Sequence, residues 1–311
     1  MTEPADYLIR LYTECAAEAA DEVSNLFQSE TNQPSVVELI PNGGDDPDKS
    51  PTFERAAVSA YLEPTRSTES LENTLDLKLR LLSQLATIGE LQRQEIRRED
   101  WEESWKQHYR PIRIGDRLVV CPSWHEYKSC SGELVLSLDP GMAFGTGIHP
   151  STQMCLSRLE SWVRPATKAL DVGAGSGILT LAALGLGASS VMAIDVDQVA
   201  VETTRANIER AGLDERVESI LSDFKQVEWE KVPTSFRPPY DLVTANLTAS
   251  IILENLENLL ESLKPEGVLI ASGIVVQRER EISEALAERA VVVEERDEQG
   301  DWVCLVLRKP G

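Results

Sequence analysis

The chain is short of positive charge, histidine and paired cysteines, and each shortage closes a class of function. Lysine and arginine number 30 against 52 aspartates and glutamates, a formal charge of −22. A surface this acidic repels phosphate backbones, so direct nucleic-acid binding is not expected. It would instead speed encounter with a basic protein. The five cysteines, Cys15, Cys121, Cys130, Cys155 and Cys304, form no Cys-x-x-Cys pair. They read as reduced thiols of a cytoplasmic protein, neither a disulfide framework nor a zinc site. The three histidines, His108, His125 and His149, lack metal-ligand spacing, so no metal is expected. No apolar run approaches the ~20 residues of a membrane helix, and the acidic N-terminus has no signal-peptide pattern. The expected form is a monomer without a membrane partner.

What is present is a pair of glycine-rich loops. The first reads Asp139-Pro140-Gly141-Met142-Ala143-Phe144-Gly145-Thr146-Gly147-Ile148-His149-Pro150. The second reads Leu170-Asp171-Val172-Gly173-Ala174-Gly175-Ser176-Gly177, between a short apolar run and a helix-like run. In that context a glycine loop reads as a cofactor cradle. Its spacing is G-x-G-x-G, not the G-x-G-x-x-G that seats a pyrophosphate on a helix N-terminus. It suits a ligand needing close backbone contact more than anion binding, such as S-adenosylmethionine. A plain strand-to-helix turn is the structural alternative.

Upstream of residue 100 the pattern is β-α-β-β-α-β. Strands are expected at Tyr7–Tyr12, Val36–Ile40, Glu54–Leu62 and Glu90–Arg97, with helices at Cys15–Phe27 and Ser67–Leu85. That order is ferredoxin-like. Trp101 and Trp105 lie four apart and predict a connecting helix ended by Pro111. From Lys168 onward strands and helices alternate, which predicts a doubly wound, mostly parallel α/β sheet. Seven strands are expected, the last two being Val291–Glu295 and Trp302–Leu307. The short loop between them marks an antiparallel terminal hairpin, as in the Rossmann-like sheet of methyltransferases. The expected domains are residues 1–97 (ferredoxin-like, α+β, substrate recognition), 98–125 (linker) and 126–311 (cofactor binding and catalysis).

Four further positions carry chemistry. Asp195 ends the second strand of the alternating region, where a carboxylate can accept both ribose hydroxyls of an adenosine. Asp197 beside it reads as a helix N-cap. Asp223 follows the third strand and could accept from an adenine amino group, or serve as a surface turn acid. Asn246 ends the fourth strand, where its carboxamide oxygen could orient an amine; an Asx turn is the alternative.

The segments Asp139–Thr152, Leu170–Gly177, Ala193–Asp197 and Ala245–Ala249 resemble the bacterial methyltransferases of ribosomal protein L11, the PrmA family. So does Glu99–Trp105 followed by Arg110–Arg113 and Val120-Cys121-Pro122-Ser123-Trp124. The Phe-Gly-Thr-Gly-x-His-Pro-[Ser/Thr]-Thr loop is the most specific part. The resemblance implies an S-adenosylmethionine-dependent protein N-methyltransferase acting on lysine side chains, an N-terminal α-amine, or both. It implies cofactor contacts at Thr152, Gly173, Asp195 and Asn246, to which the reading above adds Asp171, Gly175, Gly177 and Asp223. Asn246, Phe144 and His149 are the catalytic candidates: Phe144 as a wall of the methyl site, His149 as a base or as a structural histidine before Pro150. The chain departs from the family at Leu247-Thr248, where Ile-Leu is usual, and in a long, proline-bearing segment at 225–239. Its first 70 residues match weakly and hold 14 acids against 4 bases. A related enzyme with another protein substrate is thus an alternative, and an NAD-dependent oxidoreductase a more distant one.

Overall fold

The computed structural model describes residues 7–31, 35–41, 53–62, 64, 68–84, 86–97, 110–139, 147, 149–289 and 291–311. Phe144 and the expected Trp101–Trp105 helix lie outside the described residues. The chain divides into two compact units, Met1–Tyr109 and Arg110–Gly311.

The first unit runs β1 (Tyr7–Ala16), α1 (Ala20–Thr31), β2 (Ser35–Pro41), β3 (Phe53–Leu62), α2 (Thr68–Leu82) and β4 (Gln92–Arg97). The sheet order is β2-β3-β1-β4, with antiparallel neighbours throughout. This is the ferredoxin-like arrangement. Its core joins Ile9, Leu11 and Val58 of the sheet to Val23 and Phe27 of α1 and Leu75 and Leu79 of α2. One boundary differs from expectation. The alanine-rich run from Cys15 opens as strand, because Cys15 pairs with Ala56 and Ala16 with Arg55 across β3. Tertiary pairing overrides alanine's helix propensity there.

The second unit opens with a three-stranded sheet, β5 (Ile112–Ile114), β6 (Leu118–Pro122) and β7 (Leu134–Leu138). Residues 110–125, expected as linker, therefore belong to this unit: Leu118 and Val120 are buried with Met154 and Leu156. Next come α3 (Pro150–Trp162), β8 (Lys168–Val172), α4 (Ile178–Leu186), β9 (Ser190–Asp195), α5 (Gln198–Arg210) and β10 (Val217–Leu221). They are followed by β11 (Tyr240–Asn246), α6 (Ala249–Glu261), β12 (Leu263–Val275), α7 (Glu279–Ala287), β13 (Val292–Gln299) and β14 (Trp302–Arg308).

The large sheet has the order β10-β9-β8-β11-β12-β14-β13. The first five strands are parallel, and β14 runs antiparallel between β12 and β13. The central strands are covered on both faces and are almost continuously apolar, whereas the edge strands β10 and β13 carry charged, exposed residues. Along β14, Cys304 and Val306 enter the core that contains α3 and α4, while Val303, Leu305 and Leu307 enter the one containing α6 and α7. The order places the carboxyl ends of β8, β9 and β11 along one edge, where open α/β sheets bind ligands.

Candidate functional site

The second glycine loop follows β8 and is held by its neighbours. The amides of Gly173 and Ala174 both donate to the Ile194 carbonyl, at 2.8 and 3.1 Å. Gly173, Gly175 and Gly177 have φ of 75°, 57° and 80°, a region open to glycine at little cost. At Gly173 the absent Cβ makes room for the protein itself. A Cβ there would lie 2.4 Å from Leu247 Cδ2, so the residue after Asn246 fills that space. At Gly177 it would lie 3.1 Å from the Thr204 side chain.

Asp195 joins this loop to the next strand. Its Oδ2 accepts from the Gly175 amide at 2.9 Å, and its Oδ1 from the Asp197 amide at 3.0 Å. Each carboxylate oxygen keeps a second lone pair for a further donor. Asp197 caps α5 by accepting from the Val199 amide at 2.9 Å, as its neighbours predict. Between them Val196 is 74% exposed, and Leu221 at the end of β10 is 48% exposed. Exposed aliphatic side chains next to a ribose-suited carboxylate offer an apolar platform for a flat base. Val196 was missed from the sequence, although an aliphatic residue between two aspartates was the available signal.

Asn246 ends β11, and its Nδ2 donates to Thr152 Oγ1 at 3.1 Å. Two residues singled out 94 positions apart thus meet. The bond turns the carboxamide Oδ1 away from Thr152. Thr152 lies in the first turn of α3, fully buried. His149 caps that helix: its Nδ1 lies 2.7 Å from Ser151 Oγ and accepts from the Ser151 amide at 3.3 Å. The ring sits edge-on to Trp302, with centroids 4.5 Å apart. Burial pulls its pKa from 6.5 down to about 4. The base role considered for His149 is corrected on this geometry. The lone pair of Nδ1 is spent on the cap, and so weak a base cannot take a proton from an ammonium.

Asp171 is also revised. It is 1% exposed and accepts from Thr180 Oγ1 at 2.8 Å and Thr244 Oγ1 at 2.7 Å. It supports the loop from inside the sheet and is too buried to touch a ligand directly. Burial raises its pKa from 3.8 to about 6, so near neutral pH it is largely ionised. Asp223 is exposed and caps its own turn, accepting from the Lys225 amide at 2.9 Å and from Gln226 Nε2 at 3.3 Å. The long segment after it is a run of short 3-10 turns whose Trp229 packs near Phe224 and Tyr240.

The two glycine loops converge. Gly147, near the end of the first, has φ 83°. A Cβ on it would meet Ile178 Cδ1 at 2.9 Å and Val120 Cγ1 at 3.0 Å. The end of the first loop therefore lies between β6 and the helix that follows the second.

These groups fit S-adenosylmethionine. A carboxylate at a strand end suits the ribose diol, Val196 and Leu221 suit the adenine faces, and Asn246, set by its bond to the buried Thr152, offers a polar atom to the methionine end. The acidic side chains of Asp195 and Asp171 near the loop suit a sulfonium better than a pyrophosphate. Among the described residues, no group of three or more His, Cys, Asp or Glu could hold a metal ion, and no helix is long and apolar enough to cross a membrane.

The family model described as ribosomal protein L11 methyltransferase (PrmA) matches residues 8–310. The chain is 38% identical over 307 residues to the ribosomal protein L11 methyltransferase of Symbiobacterium thermophilum, covering 95% of this chain and 97% of the relative. Identity to the enzyme of that name from Herpetosiphon aurantiacus is 38% over 308 residues, 94% of this chain and 96% of the other. A crystal structure of ribosomal protein L11 methylase from Lactobacillus delbrueckii subsp. bulgaricus aligns with a TM-score of 0.58 at 30% identity. That alignment spans 65% of this chain and 100% of the other.

Proposed function

The chain belongs to the ribosomal protein L11 methyltransferase (PrmA) family, and from this premise we propose how its second unit transfers a methyl group to amine nitrogens of ribosomal protein L11. The enzyme is an S-adenosylmethionine-dependent protein methyltransferase. When bound, that cofactor supplies a methyl group already made electrophilic by its sulfonium. The protein's task is then to hold two atoms close and in line.

The observation that carries the reading is the pairing of two fixed points on one sheet edge, the Asp195–Gly175 contact and the Asn246–Thr152 contact. Asp195 holds the ribose. Val196 and Leu221 flank the adenine, and Asp223 takes the adenine amino group on lone pairs its cap leaves available. Asn246, turned by Thr152, presents Oδ1 as an acceptor for an amine N–H, which points the nitrogen lone pair at the methyl carbon. A lysine amine must be neutral to attack, from an ordinary pKa of about 10.4. Exclusion of water around Asn246 lowers that value by disfavouring the ammonium. No side-chain base is needed if the amine arrives neutral. The ferredoxin-like unit recognises the protein substrate, and the formal charge of −22 assists encounter with a basic partner. The enzyme works as a cytoplasmic monomer.

The test is incubation with isotopically labelled S-adenosylmethionine and a mixture of free ribosomal proteins. Tandem mass spectrometry of the labelled chains should place methyl groups on lysine or N-terminal amines of L11. Label on another protein with none on L11 would establish the alternative, a related protein-lysine methyltransferase.

A further inference from the structure

We propose that Asn207 is a positioning residue that clasps the roots of both glycine loops and sets the affinity for the cofactor. This rests on the cofactor reading above. Asn207 lies on the inner face of α5 and is 1% exposed. Its Nδ2 donates to the Asp139 carbonyl, where the first loop leaves β7, and to the Ser176 carbonyl in the second loop, both at 2.8 Å. Its Oδ1 accepts from the Asp139 amide at 3.0 Å and from Arg210 Nη1 at 2.7 Å. The carboxamide has two donors and two acceptor sites, and all four are used.

One turn earlier on the same helix face, Thr204 donates to the Gly175 carbonyl at 2.9 Å. Helix α5 therefore grips consecutive carbonyls of the cofactor loop, and through Asn207 it also grips the start of the other loop. The same helix begins just after Asp195. Ribose carboxylate, cofactor loop and first loop are thus referred to one rigid element. An asparagine in a helix interior is a poor helix former, and its value here comes from these bonds. The bond to Ser176 is buried and the bond to Asp139 part-buried, so water replaces the first less readily.

The test compares Asn207→Ala, which removes all four bonds, with Asn207→Asp, which keeps both acceptor functions and removes both donors. Ile208→Val is the control: it trims the neighbouring buried side chain and destabilises without touching either loop. Cofactor dissociation constants come from calorimetry on the full chain, well below each variant's Tm. KM and kcat are measured in parallel. A purely structural role lowers Tm and the active fraction but leaves Kd and KM unchanged, as expected for Ile208→Val. The clasp predicts that Asn207→Ala and Asn207→Asp each raise Kd and KM for S-adenosylmethionine at least fivefold. It also predicts that Asn207→Asp, whose second carboxylate oxygen would face the Asp139 and Ser176 carbonyls, loses at least as much affinity as Asn207→Ala. Folded variants that bind within twofold of wild type overturn the clasp alone. Failure of the wild-type chain to bind S-adenosylmethionine overturns the cofactor reading and the clasp with it.

Discussion

Asp195 bridges the Gly175 amide and the turn that starts α5, so its removal loosens the loop as well as the ribose contact. Asp195→Ala should weaken S-adenosylmethionine binding at least tenfold, through loss of charge-assisted bonds. Calorimetric affinity equal to wild type would remove Asp195 from the site. Asp171 makes a different prediction, about pH. Its pKa is 3.8 when unperturbed and about 6 in the fold, raised by burial. The folded state thus holds this proton more tightly than the unfolded state. The resulting stability is fully present below pH 3.8 and is lost as pH rises to about 6, amounting to about 3 kcal/mol at 1.36 kcal/mol per unit. Asp171→Asn should remove that slope, so its Tm relative to wild type should rise between pH 4 and pH 6.5. Parallel pH profiles for the two proteins would contradict the buried-carboxylate account.

Among the elements, α3 shows how the site is braced. The Glu160 carboxylate accepts from the backbone amides of Asp116 at 2.9 Å, Arg117 at 2.8 Å and Leu118 at 2.9 Å. It fills the place a Cβ on Gly115 would take, 2.2 Å from that position. The helix that carries Thr152 is thereby fastened to the turn between β5 and β6. Glu160→Ala frees three donors at a partly solvated turn, where water replaces some of what is lost. The expected cost is about 1–3 kcal/mol, read from the urea midpoint. An unchanged midpoint would show that the turn holds itself.

This brace was invisible in the sequence, for a physical reason. Helix α3 buries Ser151, Thr152 and Cys155 beside Met154 and Leu156, so no apolar stripe announces it. Strands β5 and β6 are short and broken by the Gly115 turn, and read as linker. By contrast, the central strands of the large sheet were legible because they are apolar runs between turn residues. The carboxyl-end residues Asp195 and Asn246 followed from the strands. What the sequence could not show was pairing over distance: Asn246 with Thr152, Leu247 with Gly173, Asn207 with both loops. His149, read as a base or as a structural histidine before Pro150, takes the structural role as a cap, because a helix start needs an acceptor there.

At the scale of the molecule, the division into two units falls after Tyr109, inside the span 98–125 expected as linker. The second unit contains both large hydrophobic clusters and every described residue assigned to the cofactor. A chain of residues 110–311 should fold cooperatively and bind S-adenosylmethionine with an affinity near that of the full protein, while losing methylation of intact protein substrate. Thermal unfolding, calorimetry and a methylation assay check the three parts. Methylation retained by the fragment would remove the recognition role from residues 1–109.

The two glycine loops leave different sheets: the first follows β7 of the three-stranded sheet, and the second follows β8 of the seven-stranded one. The large sheet closes its strand order without β5, β6 or β7. This separation bears on descent. Substitutions in the smaller sheet and the loop it launches can alter what is modified while the nucleoside cradle is inherited intact. Lineages built on this scaffold should therefore diverge in their targets sooner than in their methyl donor.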